Sequence, residues 1–298
     1  MRRRYLRRTP FWHSHIADSQ VHITTSLAEL DAAIVSLRDQ RVEVLAVLGG
    51  DGTLHHAVDA LLRHYPSEAG PLAAPIVLAL GGGTMNGVPR ALGTRGRPED
   101  VLRFALAALE REKPLVHLQH VLRISDARDD QTRYGFSFAT GLVYRALEHY
   151  YSSRAPRLAA AVSASLLPFT AALQGGYDDD RIDVRANDDV WLAHPHTLVA
   201  SVFERPLLWF RPFGATVVDN ETFNLGATSL RPLAIVPRLW AIFRGRCRHP
   251  QLRVGRVRHA SIAGSGGGYV IDGDLYPRDA IDVQITVGPP LRFLAASA

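Results

Sequence analysis

Apolar positions along this chain follow two rhythms, and the change between them divides it. In the first third, short apolar runs alternate with stretches whose apolar residues recur every three or four positions. VEVLAVL (42–48) and PIVLAL (75–80) have the length and near-continuity of strands covered on both faces. VHITT (21–25) reads as a further short strand. Between these runs lie helical stripes: Leu27, Leu30, Ile34 and Leu37; then Leu54, Ala57, Val58, Leu61 and Tyr65. Ser26 and Glu29 stand at capping-box spacing before the first stripe. Pro98, followed by Glu99 and Asp100, opens a third helix, PEDVLRFALAALERE.

After Lys113-Pro114 the rhythm shortens to alternation. LVHLQHVLRISD and TRYGFSFATG flank the turn-rich ARDDQ, a hairpin signal. RIDVRAN, VWLAH, HTLVASVFE, GGYVIDGDLY and AIDVQITVG continue in the same manner. Helical patterning survives only around residues 145–175 and in LAIVPRLWAIFRG. The pattern predicts an α/β domain with a parallel sheet over residues 1–114. A mostly antiparallel β-sandwich domain is expected over 115–298.

Both apolar runs of the first domain end in glycines, GGDGT at 49–53 and GGGTMNG at 81–87. Ligands of open parallel sheets bind beyond the carboxyl ends of the strands. Glycines there let backbone N–H groups approach a phosphate, and Thr53 is placed to cap the following helix, whose N-terminus favours anions. Asp51 is the odd member, since a bare carboxylate repels phosphate. A Mg²⁺-linked carboxylate, or a base for an attacking hydroxyl, resolves that conflict. Two such turns at successive strand ends point to one cleft. Neither has the GxGxxG spacing of a dinucleotide fold.

Composition narrows the chemistry. The net charge of +5 is almost wholly arginine, because Lys113 is the only lysine. A Walker-type loop and a Schiff-base lysine are thereby excluded, so phosphate must be met by amides, arginine or metal. Cys247 is the only cysteine, which rules out an internal disulfide and fits a reducing, cytoplasmic setting. Thirteen histidines invite a metal reading, but the HSH and HPH pairs lack nearby carboxylate or cysteine partners, and His55-His56 is read as facing outward beside the helix stripe, so no histidine metal site is expected.

The ordered motifs LGGDGTLHHAVDALL, LGGGTMNGVPRALG and YVIDGDLYP resemble the diacylglycerol kinase catalytic-domain family, which includes bacterial lipid kinases, sphingosine kinases and ceramide kinases. The resemblance runs from about Val21 to Leu294. It implies an N-terminal domain like those of NAD kinase and phosphofructokinase, and Mg²⁺- and ATP-dependent phosphoryl transfer to a lipid hydroxyl. By the same resemblance Gly49, Gly50, Asp51, Gly52 and Thr53 cradle nucleotide phosphates. Thr25, Gly83, Thr84 and Asn86 line that pocket. Asp272, Gly273 and Asp274 bring carboxylates from the second domain. Asp274 or Asp51 takes the acceptor proton, and Asp51 or Asp272 supports Mg²⁺.

Two departures stand out. The Asn-Pro-x-Ser-Gly turn usual near the front of the family is missing from MRRRYLRRTPFWHSHIAD, and Gly87 replaces the usual aspartate after Gly-Thr-x-Asn. They leave two alternatives beside the lipid kinase: a member that binds nucleotide or lipid without transfer, and an NAD-kinase-like enzyme with a soluble acceptor. The five arginines of MRRRYLRR, and the apolar face of Leu158–Tyr177, are candidates for transient contact with the inner membrane surface. No secretory signal and no spanning segment are expected. The remaining arginines look scattered and no recognition motif appears, so no nucleic-acid partner is expected.

Overall fold

The computed structural model describes residues 12, 16, 17, 20–65, 73–83, 86–152, 182–204, 213, 214, 219–265 and 267–297. By its contacts the chain divides into two compact units, Met1–Gln119 with Pro289–Ala298, and His120–Gly288. Where the alternation of the sequence suggests a single cut near residue 114, the last ten residues belong with the first unit.

The first unit is built from α1 (Leu27–Asp39), β1 (Val44–Gly49), α2 (Asp51–His64), β2 (Ile76–Gly81), α3 (Gly87–Ala91) and α4 (Pro98–Glu110). β1 and β2 are parallel and in register from Val44↔Ile76 to Gly49↔Gly81, so both glycine turns leave the sheet at one level. Val77 to Leu80 of β2 are all buried, as a strand covered on both faces requires. Leu78 and Leu80 pack with Val101, Leu102 and Ala105 of α4 and with Leu294 and Ala296. Those last two explain why the chain end joins this unit. The Arg292 guanidinium donates to Ala74 O at 2.7 Å, and Ala295 N–H donates to Leu115 O at 2.9 Å.

Several expected elements differ. Residues 21–25 form no strand; they carry no ladder partner and run directly into α1. α1 buries Ala33, Ile34 and Leu37, while Leu27 is 59% exposed, because it sits at the helix start ahead of the packed face. The stripe of α2 is buried as expected at Leu54, Ala57, Val58 and Leu61. His55 is also fully buried, contrary to the outward placement read from the sequence. It falls beside Leu54 on the covered side, where a polar residue blurs the apolar pattern.

The second unit carries two antiparallel sheets. One holds β4 (Gln131–Gly135), β6 (Ile182–Ala186), β7 (Asp189–Leu192), β11 (His259–Ser265) and the parts of β3 (Val116–Asp126) and β14 (Ala280–Leu294) that lie within His120–Gly288. The other runs β10-β9-β8-β5-β12-β13, from β5 (Ser137–Gly141), β8 (Thr197–Ser201), β9 (Phe223–Thr228), β10 (Leu252–Val257), β12 (Gly268–Ile271) and β13 (Asp274–Pro277). Helices α5 (Leu142–Ser152), α6 (Pro232–Ile235) and α7 (Leu239–Phe243) complete it, a 3-10 turn at Val236–Arg238 linking the last two. Trp191 of β7 lies against Gly255 of β10, where an added Cβ would come within 2.8 Å of the indole. The two sheets therefore pack face to face, and the expected sandwich is present. The helical pattern at Leu158–Tyr177 and the basic N-terminus lie outside the described residues.

Candidate active site

The first glycine turn is a single residue long. β1 ends at Gly49, Gly50 is the N-cap, and Asp51 already belongs to α2. Thr53 is therefore the third helical residue and not the cap foreseen from the sequence. It packs instead against the strand end, where a Cβ on Gly49 would fall 2.4 Å from the Thr53 Cβ, so only glycine admits that side chain. Gly52 lies between Asp51 and Thr53 in the same first turn, whose N–H groups have no carbonyl one turn back.

The second turn interlocks with the first. Gly82 N–H donates to Gly49 O at 2.7 Å, and a Cβ on Gly83 would stand 2.6 Å from the Gly50 Cα. Close approach of two backbones is thus a sufficient cause for Gly83. Asn86, with φ at 49°, holds the turn from within: its Oδ1 accepts Gly83 N–H at 2.7 Å, and its Nδ2 donates to Gly83 O at 3.1 Å and to Gly81 O at 3.3 Å. Thr84 lies outside the described residues.

Asp51 ties both turns to α3. Its Oδ1 accepts Val88 N–H at 2.9 Å, and its carboxylate also draws on the Gly87 amide. Burial pushes its carboxyl up from the usual range, while the Val88 and Gly87 amides and the Arg90 charge oppose that rise. The absence of a side chain at Gly87 leaves its amide open to this carboxylate. Thr25 stands apart in sequence at the start of α1. Its hydroxyl donates to the Glu29 carboxylate, and Glu29 N–H donates to Ser26 Oγ at 3.2 Å.

In the second unit Asp272 and Gly273 are the two central residues of the β12–β13 hairpin, with Ile271 opposite Asp274. Their φ values of 48° and 93° are those of a type I′ turn, for which Asp-Gly is suited. Asp272 Oδ2 accepts Phe136 N–H, and its Oδ1 accepts both the N–H and the hydroxyl of Ser137, all at 2.8 Å. Three donors on a buried carboxylate give Asp272 a structural role, tying the hairpin to the start of β5. Asp51, whose carboxylate draws on the Val88, Gly87 and its own amide, keeps a lone pair for one coordination bond. Tyr151 of α5 donates to Gly273 O at 3.0 Å, which steadies the tip that presents Asp274.

A buried ionic cluster flanks the same hairpin and was not foreseen. Asp126 Oδ2, on a side chain only 1% exposed, accepts Tyr269 O–H at 2.7 Å and Arg278 Nε–H at 3.0 Å. Arg278 also reaches Asp129 at 2.5 Å, and Arg133 pairs with Asp129. Arg133 lies over the Tyr276 ring at 5.0 Å, and Tyr276 stacks on Tyr269 at 5.2 Å. The sequence offered ARDDQ only as turn chemistry; Arg133 lies four residues from Asp129, but Arg278 reaches it from 149 residues further along the chain.

Residues 4–118 match the family model of the diacylglycerol kinase catalytic domain. A diacylglycerol kinase from Bacillus anthracis str. Sterne superposes with a TM-score of 0.58 at 13% identity, covering 91% of this chain and 82% of its own. A proposed diacylglycerol kinase from the same organism gives 0.62 at 15%, covering 91% and 84%. At such identity these likenesses speak for the fold. No curated protein matches the chain's sequence. Residues 4–118, which hold the first two of the three motifs, thus resemble the diacylglycerol kinase catalytic domain.

Proposed function

We propose that the protein is an ATP- and Mg²⁺-dependent lipid kinase that phosphorylates a hydroxyl of a diacylglycerol- or sphingoid-type lipid. The observation that carries this reading is the junction of the two glycine turns, inside a kinase-type domain, with one carboxylate bracing both. ATP supplies the phosphoryl group, and Mg²⁺ neutralises its charge. The first-turn amides of α2, from Asp51 to Thr53, and the Gly83–Asn86 segment hold the phosphates, with Thr25 in the same pocket. Asp51 keeps the two turns together and offers its remaining lone pairs to the ion. Asp274 accepts the proton that the lipid hydroxyl releases as its oxygen bonds to phosphorus and ADP departs. Asp51 is the less apt base, since three backbone amides, of Val88, Gly87 and Asp51 itself, already draw on its lone pairs.

Among the described residues no helix is long and apolar enough to cross a membrane. A lipid acceptor brings the protein to the cytoplasmic face of the inner membrane as a peripheral visitor. Radiolabelled ATP with mixed micelles of diacylglycerol, sphingosine or ceramide tests the reading, and label in one of these lipids is expected. Label in none of them, from folded protein, rejects it. Turnover that requires NAD instead would identify the soluble-acceptor alternative. Gly87 favours one further reading, nucleotide binding without transfer, which calorimetry with ATP and no product would reveal.

A further inference from the structure

The segment Arg231–Pro250 of the second unit has a surface that the kinase reading does not use. It contains five arginines, Arg231, Arg238, Arg244, Arg246 and Arg248, and no acidic residue. Trp240 is 68% exposed, the highest value for a large apolar side chain among the described residues of this unit, and Leu233 is 61% exposed. Pro237, Arg231, Arg244, Arg246 and Arg248 are exposed with them. Ile235, 8% exposed, anchors the segment from beneath, and Arg238 donates to Ala234 O at 2.9 Å. Arg244 lies over the Trp240 ring at 4.4 Å, which holds a cation beside the indole.

We propose that α6, the 3-10 turn and α7 form a membrane-docking surface for anionic phospholipid, with Trp240 and Leu233 entering the headgroup boundary and Arg244, Arg246 and Arg248 binding lipid phosphates. Three arguments select this occupant. An exposed indole is suited to the interface between water and acyl chains, and an exposed leucine has no use on a nucleic acid, where flat rings stack on bases. Arginines that carry no acidic partner among the described residues complement an anionic leaflet, each contributing about fivefold in affinity. The segment cannot span a bilayer: even a straight helix over Pro232–Phe243 would reach only ~18 Å of the ~30 Å hydrocarbon core. It lies on the surface. The proposal draws on the lipid-kinase reading only for the reason that a membrane is present.

The test is sedimentation of the full chain with vesicles of phosphatidylcholine alone, or with phosphatidylglycerol added, at low ionic strength and without nucleotide. Binding to the anionic vesicles only is expected. Trp240→Ala should weaken it about tenfold, and Arg244→Gln with Arg246→Gln about 25-fold. Trp240→Phe, whose packing change is smaller, should remove a blue shift of emission that the other three tryptophans do not give. Urea midpoints unchanged from the parent show that the variants are folded. No binding by the parent overturns the proposal. So do variants that bind as the parent does, tighter binding to polyuridylate than to vesicles, and self-association lost with Trp240. Because nucleotide is absent, anionic-vesicle binding by a protein that labels no lipid leaves this surface standing and removes only the kinase reading.

Discussion

The Asp51 carboxylate accepts the Val88 backbone N–H at 2.9 Å, joining the first residue of one helix to the first turn of another 37 positions later. The acid that looked misplaced among phosphate-binding glycines has a structural use. Asp51→Ala should leave the Val88 and Gly87 amides without their acceptor and cost about 1–3 kcal/mol in urea unfolding. Asp51→Asn keeps an acceptor and should cost less. If ATP affinity falls equally in both, the charge matters to the ligand; if it tracks stability, the brace is the whole role.

The same residue gives a pH dependence of defined sign. Burial raises the folded carboxyl above its unfolded value, so the folded state binds the proton first. The stabilising contribution is complete below the unfolded value, about 3.9, and is lost as pH rises through the folded one. The stability of the parent relative to Asp51→Asn should therefore decline with rising pH above ~4. A difference that grows instead would contradict the burial.

Asp129 behaves oppositely. Its hydrogen bond to Arg133, with the charges of Arg133 and Arg278, holds its carboxyl below the usual range. That contribution is present above the unfolded value and disappears as pH falls through the folded one. Asp129→Asn should flatten the acid limb of the stability profile, read by urea melts between pH 3 and 7, and leave neutral pH less affected than acid deletion at a fully buried site.

Gly83 and Gly50 separate packing from ligand access. Gly83→Ala would put a Cβ 2.6 Å from the Gly50 backbone and should destabilise the junction by about 1–3 kcal/mol. A Cβ on Gly50 meets nothing nearer than 3.4 Å, and its φ of −84° suits any residue. Gly50→Ala should keep the parent's melting temperature and still lower ATP affinity. Unchanged affinity would mean that the ligand does not approach this backbone.

Asp272 and Asp274 share a hairpin and should part in their effects. Asp272→Ala strands three donors near Phe136 and Ser137, and should cost roughly 2–4 kcal/mol of stability. Asp274→Asn should leave the fold intact and lower kcat by about 10²–10⁴ with little change in KM. A kcat unaltered by Asp274→Asn would remove it as the base.

The sequence alone determined what depends on local periodicity and on backbone chemistry. Continuous apolar runs required covered parallel strands, alternation required an antiparallel sandwich, and glycine at two strand ends required a special turn. It did not determine which partners those glycines and acids meet. His55, Asp272 and the Asp126–Arg278 pair acquired burial and neighbours from segments distant along the chain, and neither composition nor spacing encodes such neighbours. The return of Leu294 and Ala296 to the first unit is the same effect in the core. The VHITT run had a strand's composition, yet strand pairing needs a free ladder edge, and only the folded sheet decides where one is left.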